Sequence, residues 1–324
     1  MKLKEISKPI AEDLKEYNKY FKTLLRSNVA LLDLIVKYIS NKKGKQARPV
    51  LVFLSAKLFG DVDKRAYTGA AMAELLHTAT LVHDDVVDEA DQRRGIATIN
   101  SRWNNKIAVL IGDFLLAKGL LSAIDASEFS FLGAISNAVR RMSEGELLQI
   151  QKSKDGDIDE DTYFRIISDK TASLMASCCE IGAISTSDNP EYHKIMRDYG
   201  EYIGISFQIR DDIFDFNIGS TITGKPTGND LKEKKITLPL IYSFNKADRS
   251  ETKRILKIIK NGDLKSKSIK HICDFVAEHG GLEYSKLKAD EYKNKAIKLL
   301  DVFEDSEAKT ALINFADFVV QRKL

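Results

Sequence analysis

Two segments of the chain read Asp-Asp-x-x-Asp, and each closes an apolar stretch at helical spacing: Asp84, Asp85 and Asp88 after AELLHTATLVH, and Asp211, Asp212 and Asp215 after YIGISFQIR. Residues four apart share one face of a helix, so Asp84 points with Asp88 and Asp211 with Asp215. Like charges placed this way repel, weakly when exposed and more strongly at the end of a buried stripe. Something cationic must offset them. Roughly 0.2 matches to the pattern are expected by chance in a chain of this length, so two are not background. A solvated acidic helix end is the plain alternative, and it fits poorly because each cluster caps a hydrophobic helix. Hard oxygen ligands, few per ion, suit Mg2+ bound together with a phosphate-bearing molecule better than an all-protein calcium cage.

The rest of the chain reads as helix. Of its 324 residues 44% are hydrophobic and 30% charged, with 18 Gly and 5 Pro, and no series of short alternating runs marks strands. The spacing predicts helices over 11–40, 50–59, 65–90, 104–124, 128–150, 161–184, 191–216, 237–246, 250–260, 266–278, 282–300 and 305–322. Polar breaks fall at 151–160 and 217–235, the second too long for a simple connector. Neither separates segments of different composition, so a single all-α domain, 1–324, is expected.

Net charge is +3, with the excess Lys spread through the last third, and this disfavours a nucleic-acid partner. Cys178, Cys179 and Cys273 form neither a disulfide framework nor a zinc spacing and suit a reducing cytoplasm. The charged N-terminus lacks a signal-peptide core, and no uninterrupted run of about 18 apolar residues stands out. A cytoplasmic protein without a transmembrane segment is expected, with peripheral membrane contact left open.

Basic and polar residues surround the acidic clusters. Lys45 and Arg48 lie three apart before Pro49, where both can face one anion at a helix N-terminus. Arg93 and Arg94 follow the first cluster, and His77 shares a stripe with Asp84 and Asp88, within about 40° at helical pitch. Lys170-Thr171 opens a later helical segment, Gln208 stands one turn before Asp211, and Lys225, Lys234 and Lys235 lie in the long polar loop.

In this order the residues resemble a known family, the trans-prenyl (polyprenyl) diphosphate synthases, on LVHDDVVDEADQRRG, FQIRDDIFDF and GKPTGNDLKEKKITLP. The resemblance covers about residues 44–240. Two positions depart from the pattern: Ala97 replaces the usual Pro, and Lys234 a usual Gly. The resemblance implies an antiparallel helical bundle around a deep central cavity, the isoprenoid synthase type. It implies Mg2+-dependent condensation of isopentenyl diphosphate with an allylic diphosphate by a homodimer. Asp84, Asp88 and Asp211 become the direct metal ligands, with Asp215 and Asp212 acting through water or behind them. Arg93, Lys170, Thr171, Gln208, Lys225 and Lys235 would hold the allylic diphosphate, among which Lys170, Thr171 and Gln208 are the catalytic candidates. Lys45, Arg48, His77 and Arg94 would hold isopentenyl diphosphate.

Thr80, one turn before Asp84, stands where short-chain members of the family carry an aromatic, and Ala79 and, three turns back, Ala73 are small as well. They suggest a slot for a long all-trans tail, such as a quinone side-chain precursor; close helix packing would explain them as well. The competing readings are a short-chain farnesyl or geranylgeranyl synthase, a metal-dependent phosphohydrolase built on His83-Asp84, a terpene cyclase, and a non-catalytic subunit of a hetero-oligomeric synthase.

Overall fold

The computed structural model describes residues 2–40, 46–93, 95–155, 158–216, 228–262 and 264–321. The chain is all-α, as its spacing predicts, and it forms two compact units. The first comprises Met1–Asn137, Ser177–Arg197 and Val302–Phe315; the second comprises Ala138–Ala176, Asp198–Asp301 and Ala316–Leu324.

The helix Lys64–Val87 is the axis of the first unit. Asp63 starts it: in extended conformation, its carboxylate accepts from the N–H groups of Arg65 and Ala66. Small side chains then let neighbours approach from several directions. A Cβ at Gly69 would lie 2.2 Å from Ile181 Cγ2, and Gly119 of the helix Asn105–Asp125 sits against Leu75 and Met72. Leu75, Ala79 and Val82 meet Ala108, Ile111 and Leu115 in one buried cluster. Packing of this kind carries the helix up to its acidic end.

In the second unit the helix Pro190–Asp215 sends Ile205, Ile209 and Ile213, four residues apart, into a core shared with Leu240, Ile272 and Phe275. Ser206 Oγ donates to the carbonyl of Ala289 at 2.8 Å. Gly204 permits the closest approach: a Cβ there would fall 2.4 Å from Ala172 Cα.

Several boundaries differ from expectation. The 11–40 segment is two helices, Ala11–Leu24 and Ala30–Ser40, because Leu25 ends the first and Ser27 Oγ accepts from the N–H of Val29. The break foreseen at 151–160 begins late, since Phe129–Asp155 stays helical to its end. The 161–184 segment is Glu160–Ile167 and Ser173–Thr186, joined by a π-helical turn, Ser168–Ala172. A short helix, Asn229–Lys232, lies within the predicted loop, and a two-stranded hairpin pairs Gln92 with Ala97 and Arg93 with Ile96. The helix Asn105–Asp125 is long and apolar enough to cross a membrane by length and composition, a property the sequence reading did not assign. Its charges, Lys106, Asp113, Lys118 and Asp125, are spaced along it, which hid the run. One face packs in the core; Val109, Leu110, Leu121 and Ile124 are exposed. Cys178, Cys179 and Cys273 are free and buried, and burial pushes the Cys179 thiol up to about 12.

Replacement of Gly204 by Val should destabilise the protein by about 1–3 kcal/mol or more, because backbone and not a flexible side chain fills the space. A denaturant midpoint equal to wild type would contradict this close approach.

Candidate functional site

In the first unit the acidic cluster stands where its helix runs out. Asp84 occupies the last turn and Asp88 follows as the C-terminal cap, and both side chains are exposed. Asp85, between them, is only 7% exposed and turns inward, where Arg93 Nε donates to its Oδ1 at 2.7 Å. The hairpin places Arg93 there, and Asn100 Nδ2 donates to the carbonyl of Asp85 at 3.1 Å. One carboxylate of the motif is thus structural, while two are presented.

Two turns back along that helix, His77 and Thr80 are half-buried, with Thr80 Oγ1 donating to the His77 carbonyl. Arg48 enters from the helix Ala47–Lys57, whose first turn includes Pro49. Its Nη1 lies 3.9 Å from Glu74, and its Nε is buried without a hydrogen-bond partner among the described residues. Burial pushes the Glu74 carboxyl up, and the Arg48 charge pulls it back in part. A buried guanidinium nitrogen left unsatisfied is the kind of group that awaits a ligand.

Ala73 and Ala79 are buried, and Thr80 is not fully enclosed. Beside them lies an apolar cavity of about 10 Å³ lined by Met72, Leu76, Leu116, Gly119, Leu120 and Ile135.

In the second unit the equivalent cluster is built more tightly. Asp212 is 2% exposed and accepts from Tyr163 Oη at 2.7 Å and from Gln208 Nε2 at 2.8 Å. Burial, and then the charge of Asp230, push its carboxyl well above the usual range despite those two bonds. Asp215 accepts the N–H of Gly228 on Oδ1 at 3.2 Å and that of Asp230 on Oδ2 at 3.0 Å. It thereby holds the start of the helix Asn229–Lys232, a favourable place for an anion. Asp211 is half-buried.

A cavity of about 160 Å³ opens beside this cluster, some ten times what one water needs. Gln149, Lys170, Thr171, Gln208, Asp212 and Lys235 supply its polar wall, and Ile158, Ile166, Ile167 and Ile236 the apolar one. Thr171 Oγ1 donates to Gln208 Oε1 at 2.9 Å, so a hydrogen-bonded series runs from Thr171 through Gln208 to Asp212. Lys170 pairs with Glu146 and donates to Gln149 Oε1 at 3.3 Å. Lys235 pairs with Glu233; burial pulls its ammonium down, but Glu233, Asp230 and Glu146 leave it raised.

The structure thus gathers Lys170, Thr171, Gln208, Lys235 and the second acidic cluster in one unit. It gathers Arg48, His77, Arg93 and the first acidic cluster in the other. Lys45, Arg94 and Lys225 lie outside the described residues. Asp230 and Tyr163 went unnoticed as site residues. Asp230 stands within the GNDLKEKK segment, and its separation from Asp215 by a long polar loop hid the proximity; Tyr163 carried no local signal. Lys234, where the sequence departs from the family pattern, adopts φ +58°, the left-handed region that favours Gly. The departure is a strained side chain in a Gly-type conformation. Among the described residues no three His, Cys, Asp or Glu side chains form a group able to hold a metal by themselves.

Burial, and then Asp215, raise the Asp230 carboxyl to about 6. Its folded value lies above the unfolded one, so it costs nothing near pH 4 and below. The penalty grows as pH rises to about 6 and stays constant above. Asp230→Asn should therefore stabilise the metal-free protein by about 1–3 kcal/mol at pH 7.5 and leave it unchanged near pH 4. Thermal unfolding at both pH values, with chelator present, tests this; an equal gain at both would remove the charge explanation.

The polyprenyl synthetase family model matches residues 29–276. Octaprenyl diphosphate synthase of Escherichia coli (strain K12) is 36% identical over 326 aligned positions, covering 99% of each chain. A decaprenyl diphosphate synthase structure from Rhodobacter capsulatus superposes with a TM-score of 0.92 at 34% identity, over 99% of both chains. A polyprenyl synthase structure from Caulobacter crescentus CB15, complexed with calcium and isoprenyl diphosphate, also gives 0.92, at 30% identity over 100% of this chain and 98% of that one. With the family model matching residues 29–276 and relatives matching over nearly the whole length, the chain belongs to the polyprenyl synthetase family and is a prenyltransferase.

Proposed function

We propose that the protein condenses isopentenyl diphosphate with an allylic diphosphate, head to tail, in a Mg2+-dependent reaction that yields a long-chain all-trans polyprenyl diphosphate. The observation that carries this reading is the second unit's cavity, where lysines, a hydroxyl and an amide stand around buried carboxylates that repel one another. The long-chain product is supported by the octaprenyl and decaprenyl names of full-length relatives. A quinone side-chain precursor is the product class we assign, made in the cytoplasm.

In the first unit Asp84 and Asp88 would hold Mg2+, and in the second unit Asp211 would, with Asp215 and Asp230 nearby in that unit; the metal would supply Lewis-acid neutralisation of the leaving diphosphate. Lys170 and Lys235 exchange Glu146 and Glu233 for phosphate oxygens, and Thr171 and Gln208 orient them. Arg48, its Nε unsatisfied, and His77 hold isopentenyl diphosphate, with Lys45 and Arg94 expected beside them. The allylic C–O bond breaks as its leaving group is neutralised, the second substrate's double bond attacks, and the proton lost passes to the released diphosphate. The protein contributes position, charge and exclusion of water. The exposed row Val109, Leu110, Leu121 and Ile124 supports a homodimer, formed by covering that face.

Purified protein given Mg2+, isopentenyl diphosphate and an allylic primer should make products of several isoprene units, resolved by chromatography. Release of inorganic phosphate without elongation would instead establish the phosphohydrolase reading. Chelation, Asp84→Asn and Asp211→Asn should each lower kcat by about 100-fold or more. Thr80→Phe should shorten the product; unchanged length would remove the slot from the proposal.

A further inference from the structure

We infer that Arg141 is a positioning residue for the diphosphate end of the site, fixing the π-helical turn Ser168–Ala172 and thereby the directions of Lys170 and Thr171. The inference rests on the reading of those two residues as diphosphate ligands. Arg141 itself does not line the cavity.

A π-turn carries one residue more than an α-turn and redirects the side chains that follow it, at a cost in hydrogen-bond geometry. Its neighbours must hold it. On one side the helix Phe129–Asp155 presents Arg141, Gly145 and Gln149, each four residues apart and so on one face. Arg141 Nε donates to Asp169 Oδ1 at 2.7 Å, and Nη2 donates to Ser168 Oγ at 2.8 Å. Gly145 lies so close that a Cβ would stand 3.0 Å from both Asp169 Cβ and Lys170 N. Gln149 accepts from Lys170 Nζ.

On the other side the helix Pro190–Asp215 presents Glu201, Gly204 and Gln208. Glu201 accepts from Arg141 Nη1 at 3.2 Å and Nη2 at 2.8 Å, and from Ser168 Oγ at 2.6 Å. Gly204 admits Ala172, and Gln208 accepts from Thr171. One guanidinium therefore ties both helices to the turn between them. Asp169 is only 16% exposed, so its charge relies on the Arg141 guanidinium beside it. Arg165, 3.8 Å from Asp169 and 69% exposed, is a loose substitute. Without Arg141, Asp169 would be free to draw the neighbouring Lys170 ammonium away from the cavity.

Steady-state kinetics of R141M, R141K and D169N test the assignment, with and without K170M/T171A. R141M should raise KM for the allylic diphosphate by about 5–20-fold and leave KM for isopentenyl diphosphate within about 2-fold, with R141K recovering part of the loss. In the K170M/T171A background the same substitution should change KM by less than about 2-fold, because the residues it acts through are gone. An equal effect in both backgrounds, an equal rise for both substrates, or no effect would overturn the proposal. Should R141M fail to fold, D169N, which keeps the Arg141–Glu201 pair, takes its place under the same criteria. If wild type transfers no prenyl group, the functional reading fails and hydrogen exchange judges the clamp separately. Exchange about 10-fold faster at residues 168–172 in D169N supports it, and unchanged exchange overturns it.

Discussion

The physical constraint behind this molecule is the crowding of carboxylates that folding imposes and water cannot relieve. At the end of the helix Pro190–Asp215, Asp212 is sealed into the core with Tyr163 and Gln208 donating to it, while Asp230 is brought near it by a turn that Asp215 itself caps. Both Asp212 and Asp230 are pushed toward their neutral forms, by burial first and then by the charge of Asp230 on Asp212 and of Asp215 on Asp230. A chain selected for stability alone would carry an amide at one of these positions. In the proposed reaction an arriving cation would convert that repulsion into binding energy.

The counter-charges show the same logic in reverse. Lys170 and Lys235 do not stand bare at the cavity; Glu146 and Glu233 occupy them. These pairs are only partly buried, so exchanging a carboxylate for a phosphate oxygen carries a modest desolvation penalty. In the first unit Arg93 is held by Asp85 in a comparable way, whereas Arg48 keeps an unsatisfied Nε. The two units thus differ in readiness. One stores its cations in temporary pairs, and the other leaves part of a guanidinium open.

Much of this was legible in the residues. Helical periodicity gave the all-α class, and the paired Asp-Asp-x-x-Asp runs gave the two acidic ends, because i and i+4 positions need no tertiary information to be placed together. Periodicity could not show that the middle Asp of each run faces inward. That depends on partners far along the chain, Arg93 beyond a turn and Tyr163 nearly fifty residues earlier. The π-turn was invisible for a related reason: SDKTA carries no Gly or Pro to announce an interruption, and the turn is imposed by Gly145, Gly204 and Arg141 on neighbouring helices. Asp230 was hidden by loop length. Lys234 was marked in the sequence as a departure, and its left-handed backbone accounts for the glycine expected there.

The hydroxyl of Thr171 owns a single proton, and it is directed at Gln208. Toward the cavity it can therefore offer only lone pairs, which repel a phosphate oxygen and attract a metal-bound water. To donate to an anion the hydroxyl must swing away from Gln208, whose carboxamide then loses an acceptor role while still serving Asp212. An anion in the cavity would in this way remove one of the two hydrogen bonds that hold the amide serving the innermost carboxylate.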